Sequence, residues 1–229
     1  MKRGELSGKL DAAVKALHAR DLIGSELIFN EILNSNPKEP NALHFLGCIC
    51  KERGDLQQAA ELVESSIRAD DTNFAPFLNL GKIRSLLGQH ENALSAFKEA
   101  LRRNQKSLET WLCLANELRQ KHKAKDAVQC YKNVLALNPA HSESVLKVIA
   151  LLTAEGKKQD VKNILVKAIE SNPKDVNFRM NYGDILCELG KTALAIEQFK
   201  YAQSAYPDSP KINLRYTKAL QSMGLLPRF

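Results

Sequence analysis

The sequence is short of the features that mark an enzyme, a disulfide scaffold or a membrane protein. No run approaches the roughly 18 apolar residues that a membrane-spanning helix requires. The N-terminus, Met1-Lys-Arg-Gly-Glu-Leu-Ser-Gly-Lys, carries charge with no apolar stretch behind it, unlike a secretory signal. Cysteine numbers only five (Cys48, Cys50, Cys113, Cys130 and Cys187), an odd count without framework spacing, which suits a reducing compartment. Cys48 and Cys50 have the wrong spacing for a zinc or redox pair, and alternate positions on a helix point apart. The histidines (His18, His44, His90, His122 and His141) are scattered, with no paired carboxylate or cysteine pattern. There is no glycine-rich phosphate loop and no metal-ligand cluster. From these absences we expect no catalytic group, metal or cofactor, and a soluble, cytoplasmic protein that does not insert into a membrane.

What is present suffices for a folded protein. Apolar residues make up 44% of the 229 and charged residues 26%, values that give no hint of disorder. The net charge of +7 is unevenly spread. Residues 1–70 hold nine basic and eleven acidic side chains, residues 71–140 eleven and six, and residues 141–229 thirteen and nine. The basic character therefore lies in the middle and the C-terminal third.

The strongest signal is internal repetition. Gly47 and Gly81 stand 34 residues apart, each after a leucine, and the same step leads to Ala115 after Leu114 and Gly183 after Tyr182. Ile149 breaks this small-residue rule. A second series with that step runs Phe29, Val63, Phe97, Tyr131, Leu165 and Phe199, and a third Ser25, Ala59, Ala93, Ala127, Val161 and Ala195. A fourth is Pro37, Pro139, Pro173 and Pro207, with Asp71 and Gln105 filling the gaps. No insertion or deletion disturbs the period.

Each unit has a physical logic. Its first half is apolar at helical spacing, as in Leu43, Leu46, Ile49 and Cys50. A glycine follows at Gly54, Gly88, Gly156 and Gly190, where a helix stops and the chain reverses. A second helical stripe comes next, as in Ala93, Leu94, Phe97, Ala100 and Leu101. Small residues let the two helices approach while the aromatic fills the space beside them. Asn-Pro at 36–37, 138–139 and 172–173 ends the second helix.

This pattern resembles the tetratricopeptide repeat, most closely in the unit holding Trp111, Leu114, Ala115, Leu118, Ala127, Tyr131 and Pro139. The resemblance implies an all-α, right-handed superhelical solenoid forming a single array over 1–229. Its repeats start near Leu6, Pro40, Phe74, Leu108, Ser142 and Val176, and residues 210–224 form a capping helix or the first half of a seventh hairpin. Trp111 falls at a core place. The first unit departs from the pattern at Lys9, Ala12 and Ala16, and the fifth at Val145, Val148, Ile149 and Val161, so helix spacing is expected to be looser there.

In the family, first helices line an inner, concave wall suited to a peptide or a partner helix, and the second, fifth, ninth, twelfth and thirteenth places usually face the ligand. The fifth place reads Leu10, His44, Leu78, Leu112, Leu146, Met180 and Leu214. Such a row serves either as wall packing or as an exposed apolar ridge, and we expect the ridge, with His44 a contact residue. The ninth and twelfth places add Lys82, Asn116, Asp184 and Arg119, of which Lys82, Asn116 and Arg119 could hydrogen-bond a peptide backbone or carboxylate. Some family members clamp a C-terminal carboxylate with Lys and Asn on three repeats, a pattern matched here only in part. An asparagine ladder at the sixth place is interrupted, since only Asn79 and Asn181 fit.

The densest basic run, Arg119 to Lys125, sits at a hairpin turn where other units have glycine. A charge run at a turn is usually just solvated, and the other reading is an acidic partner. It lacks the interleaved aromatics of a nucleic-acid site, so the expected partner is a protein or peptide rather than nucleic acid. Two functions follow from the resemblance. One is a scaffold or adaptor that binds a partner in its groove and is not an enzyme. The other is a recognition arm of a larger enzyme, because the stretch Ala42-Leu-His-Phe-Leu-Gly47 looks like repeats in front of bacterial glycosyltransferase, sulfotransferase and oxygenase domains.

Overall fold

The computed structural model describes residues 3–226, and among these it contains thirteen α-helices and no strand. Contacts divide the chain into two compact units that meet in sequence between Lys123 and Ala124. The first holds α1 (Arg3–His18), α2 (Leu22–Ser35), α3 (Pro40–Arg53), α4 (Leu56–Ala69), α5 (Phe74–Leu86), α6 (His90–Arg103) and α7 (Leu108–Gln120). The second holds α8 (Ala124–Leu137), α9 (Ser142–Ala154), α10 (Lys158–Ser171), α11 (Val176–Glu188), α12 (Thr192–Ala205) and α13 (Pro210–Ser222). From α3 onward, every odd-numbered helix begins at the residue the 34-residue period selects.

Local chemistry explains these boundaries. Asp21, Asn73, Ser107 and Asp175 each accept a backbone N–H of the turn they precede, satisfying donors that have no partner inside the helix. Proline opens α3 and α13, where its missing N–H costs nothing. Within four hairpins the chain reverses through a left-handed glycine, for example Gly88 at φ +71°. Arg20 (φ +65°) and His122 (φ +56°) take that conformation in the other two, which lack the glycine.

In the hairpins α3–α4, α5–α6 and α11–α12 the helices meet through a glycine of the first (Gly47, Gly81, Gly183) and a large residue of the second (Val63, Phe97, Phe199). A Cβ on Gly81 would lie 2.4 Å from the Phe97 ring, so only hydrogen fits there. Phe29, Phe97, Tyr131 and Phe199 are all essentially shielded from solvent. Burying each such ring is worth roughly 1.5–3 kcal/mol. In the fifth hairpin Val145, Val148 and Val161 are fully buried, yet α9 and α10 approach each other over less of their length than α3 and α4, α5 and α6, or α11 and α12 do. Ile149 stands where those hairpins have glycine and keeps the backbones apart, as the sequence led us to expect.

First helices of successive hairpins also touch one another: α3 with α5, α5 with α7, and α11 with α13. They therefore line one wall of each unit. Trp111 corrects the sequence reading. It is half-buried rather than core, and its indole N–H donates to the Gln105 carbonyl at 2.8 Å, tying the start of α7 to the preceding turn. Part of its ring stays in contact with water while the indole N–H finds a backbone partner.

Candidate functional site: the inner walls

In the first unit the fifth-place residues do not form a continuous exposed ridge. His44 and Leu78 are each only 5% exposed, while Leu10 and Leu112 are half-buried. The cause is the stacking itself, since the fifth place faces the adjacent first helix. His44 makes this explicit: Asn79 on α5 donates its carboxamide to the imidazole Nε2 at 2.7 Å. The same carboxamide reaches the Cys48 sulfur at 3.3 Å, and Cys48 lies 3.7 Å from the ring. Burial, reinforced by Lys51, lowers the His44 pKa to about 4, and burial pushes the Cys48 thiol up. Both groups are thus held neutral near pH 7, the opposite of a thiolate–imidazolium pair. His44 is a packing and hydrogen-bonding residue, not the contact residue expected.

Around this buried base lies a polar wall. Lys82 is paired with Glu109 of the next first helix at 2.5 Å, so it meets a ligand only in competition with that carboxylate. Asn116 is half-buried, and Arg119 is exposed at the end of α7. Below them Glu117, 3% exposed, accepts from the Ser85 hydroxyl at 2.6 Å and contacts His90 Nδ1 at 2.5 Å, joining α5, α6 and α7. Position 117 faces the core of the pair, which is why no inner place of the repeat pointed to it. At the N-terminal end of the wall, Leu10, Val14 and Phe45 floor a pocket of about 440 Å³. Phe45 is backed there by Phe29, with ring centroids 5.5 Å apart.

The second unit presents a different wall. Leu146 on α9 is 47% exposed, whereas Met180 on α11 is 5% exposed and packed with Ile212 of α13. Asp184 pairs with Arg215 at 3.1 Å, and burial raises its pKa against the opposing pull of that guanidinium. Between α11 and α13 opens a pocket of about 460 Å³ that Arg215, Lys174 and Lys211 border. The sequence reading passed over Lys174 and Lys211. Lys211 holds the second, ligand-facing place of its half unit, a signal that was there to use, but Lys174 belongs to a turn outside the repeat's inner places.

The basic run behaves as a solvated turn. Lys121, His122, Lys123 and Lys125 are exposed, and Lys123 comes within 3.8 Å of Glu91, a surface pair worth at most about 1 kcal/mol. Among the described residues no group of three or more His, Cys, Asp or Glu converges as metal ligands would, and no helix is long and apolar enough to cross a membrane.

Comparison with known proteins agrees with this architecture. Two family models described as tetratricopeptide repeat match, one at residues 76–107 and one at residues 162–210. Among curated proteins, the chain is 28% identical over 126 residues to the transcription factor tau 131 kDa subunit of Saccharomyces cerevisiae, covering 55% of this chain and 12% of that protein. It is 20% identical over 197 residues to the TPR repeat-containing protein YpiA of Bacillus subtilis, covering 86% and 46%. The chain thus spans less than half the length of these relatives. Among solved structures, YrrB, a TPR protein with an unusual peptide-binding site, superposes with a TM-score of 0.61 at 17% identity, over 83% of this chain and 97% of that one. PilF from Pseudomonas aeruginosa gives 0.66 at 15% identity, over 95% and 97%. The C-terminal part of a TPR repeat-containing protein from Cytophaga hutchinsonii gives 0.72 at 14%, over 93% and 85%. At these identities the likeness is one of fold.

Proposed function

Because the chain is built of tetratricopeptide repeats, we propose that it is a protein-interaction scaffold whose inner walls bind a peptide or a partner helix. The observation that carries this reading is the character of the first unit's wall. A rigid base of buried groups (Leu78 and the His44–Asn79 pair) supports a surface of half-buried Leu112, Lys82 and Asn116 beside the exposed Arg119. Apolar area ringed by polar groups on a preformed support is what a binding hot spot requires. The pocket over Phe45 offers a second apolar anchor. In the second unit Leu146 plays the corresponding part, with Met180 as support and Asp184 held by Arg215. That YrrB has a peptide-binding site on the same fold favours a peptide over a rigid globular surface as the ligand.

The test is a selection of displayed random peptides on the intact chain, followed by affinity measurement on Leu112→Glu. Binding should weaken by about 2 kcal/mol or more, roughly thirtyfold, because an unpaired carboxylate would be carried into the interface. Far-UV circular dichroism should stay native, since Leu112 is only half-buried. The reading fails if no peptide is selected, or if the folded variant binds the selected peptides with unchanged affinity.

A further inference from the structure

The second helices also form grooves, and two of these occupy equivalent places in the repeat. One, of about 330 Å³, lies between α4 and α6 of the first unit, and one of about 350 Å³ lies between α8 and α10 of the second. Glu64, Ala96 and Glu99 line the first, and the residues two periods further on, Lys132, Ile164 and Lys167, line the second. The charge is thus reversed at two positions, and a larger apolar side chain stands at the third. We infer that the groove between α8 and α10 docks an acidic amphipathic helix of a partner protein, a contact face separate from the inner walls.

The α4–α6 groove shows how such a site is balanced from within. Arg84 of α5 lines it and pairs with Glu64, and Arg103 holds Glu99 at 3.0 Å. No acid takes the corresponding part in the second unit. Two periods on, Leu152 stands for Arg84 and Ser171 for Arg103, and Leu152 is buried in the core. Near the start of α10, Lys157 and Lys158 have their own glutamates, Glu155 and Glu188. Lys132 and Lys167, by contrast, form no ion pair among the described residues. The one acid of the described lining, Asp160, lies in the first turn of α10, two turns from Lys167, where the helix N-terminus favours a carboxylate. The carboxylates that would balance Lys132 and Lys167 must therefore come from outside.

The remaining lining selects a helix as their source. Leu135 of α8 and Ile164 of α10 are half-buried and give the groove an apolar floor. One lysine stands on each of the two helices that wall it. This arrangement complements a helix whose apolar stripe is flanked on both sides by carboxylates. The lined stretch of α10, from Asp160 to Lys167, is roughly 11 Å long, two turns of such a helix. A second copy of the chain matches less well. A two-fold contact would set the lysines against themselves, and the glutamates of the α4–α6 groove are already paired internally. Nucleic acid would find no aromatic ring among the described lining residues on which to stack.

The test is an amide NMR titration of the intact, isotopically labelled chain with a dodecapeptide of three Ala-Glu-Leu-Glu blocks. Both ends are blocked, by acetylation and amidation, so that no terminal carboxylate is present. As a helix it shows a leucine stripe with glutamates on either side. Analogues with glutamine for glutamate, or serine for leucine, are the comparison probes. The acidic peptide should shift the amides of Lys132, Leu135, Ile164 and Lys167 and bind at least about tenfold more tightly than either analogue. The double variant Lys132→Glu/Lys167→Glu should lose that preference with an unchanged far-UV spectrum, and should instead favour the peptide carrying lysine for glutamate. Equal affinity for the acidic peptide and either analogue, shifts confined to the inner walls, or absence of binding would each overturn the inference. So would self-association of the chain that the double variant abolishes, which assigns the groove to a second copy. Displacement of the peptide by phosphatidylserine vesicles would overturn it in favour of a lipid surface. If peptides selected by display bind in a Leu112-dependent way while this titration fails, the groove assignment falls and the scaffold reading stands.

Discussion

Asn79 donates its side-chain amide to the Nε2 of His44, 35 residues away, across the contact between α3 and α5. Accepting this bond requires a neutral imidazole. Burial lowers the ring's pKa from 6.5 to about 4. The unfolded chain therefore takes up a proton between those two values while the folded chain does not, so acidification favours unfolding. The stabilisation is complete above about pH 6.5 and is lost as pH falls through the folded value. It amounts to on the order of 3 kcal/mol. Denaturant unfolding at pH 7 and pH 4.5 should show a larger drop for the native chain than for His44→Gln. Equal drops would show that His44 does not carry this dependence.

Gly81 should resist even the smallest substitution. An alanine in a helix interior ordinarily gains up to about 1 kcal/mol over glycine. Here its Cβ would sit 2.4 Å from the Phe97 ring, itself fully packed. Overpacking outweighs propensity, so Gly81→Ala should cost about 1–3 kcal/mol in thermal or urea unfolding. A stabilised variant would mean that Phe97 can yield at no cost.

Trp111→Ala should be milder than a core truncation. A fully buried tryptophan cut to alanine costs about 3–5 kcal/mol. Trp111 is half-buried and contributes one hydrogen bond, to the Gln105 carbonyl. We expect about 2 kcal/mol, as partial apolar loss plus a hydrogen bond of about 1 kcal/mol. Urea unfolding with an unchanged m-value would measure it, and a loss of about 3–5 kcal/mol would contradict the half-buried placement.

Stability should be graded along the repeats, because each couples mainly to its neighbours. The hairpin of α9 and α10 is less closely apposed than that of α5 and α6, and α1 carries Lys9, which pairs with Glu31 at 3.1 Å, at the place where the second to fifth repeats have Leu43, Phe77, Trp111 and Val145. Native-state hydrogen exchange should be faster in α1, α2, α9 and α10 than in α5 and α6. Uniform protection would mean that Ile149 and Lys9 have no energetic consequence.

The sequence alone determined where each first helix from α3 onward starts, where the chain reverses and which residues pack within a hairpin. Those features depend on steric rules acting over a few residues or within one repeat: a glycine or its left-handed substitute at the turn, Gly81 under Phe97, a capping side chain before α3, α5, α7, α9 and α11. Exposure along the inner wall was decided only by the tertiary structure. His44, Leu78, Leu112 and Leu146 share one place in the repeat, yet they range from 5% to 47% exposed, because what covers each of them belongs to a different hairpin. Trp111 misled for the same reason, since its repeat place says core and its neighbours leave it half-buried. The basic pocket shows the effect most fully. Lys174 and Lys211 stand 37 residues apart, each unremarked in its own stretch of sequence, and become one electrostatic feature only when α13 packs against α11. A 34-residue period reports the shape every repeat shares, whereas charge and exposure depend on which particular side chains two neighbouring repeats bring together.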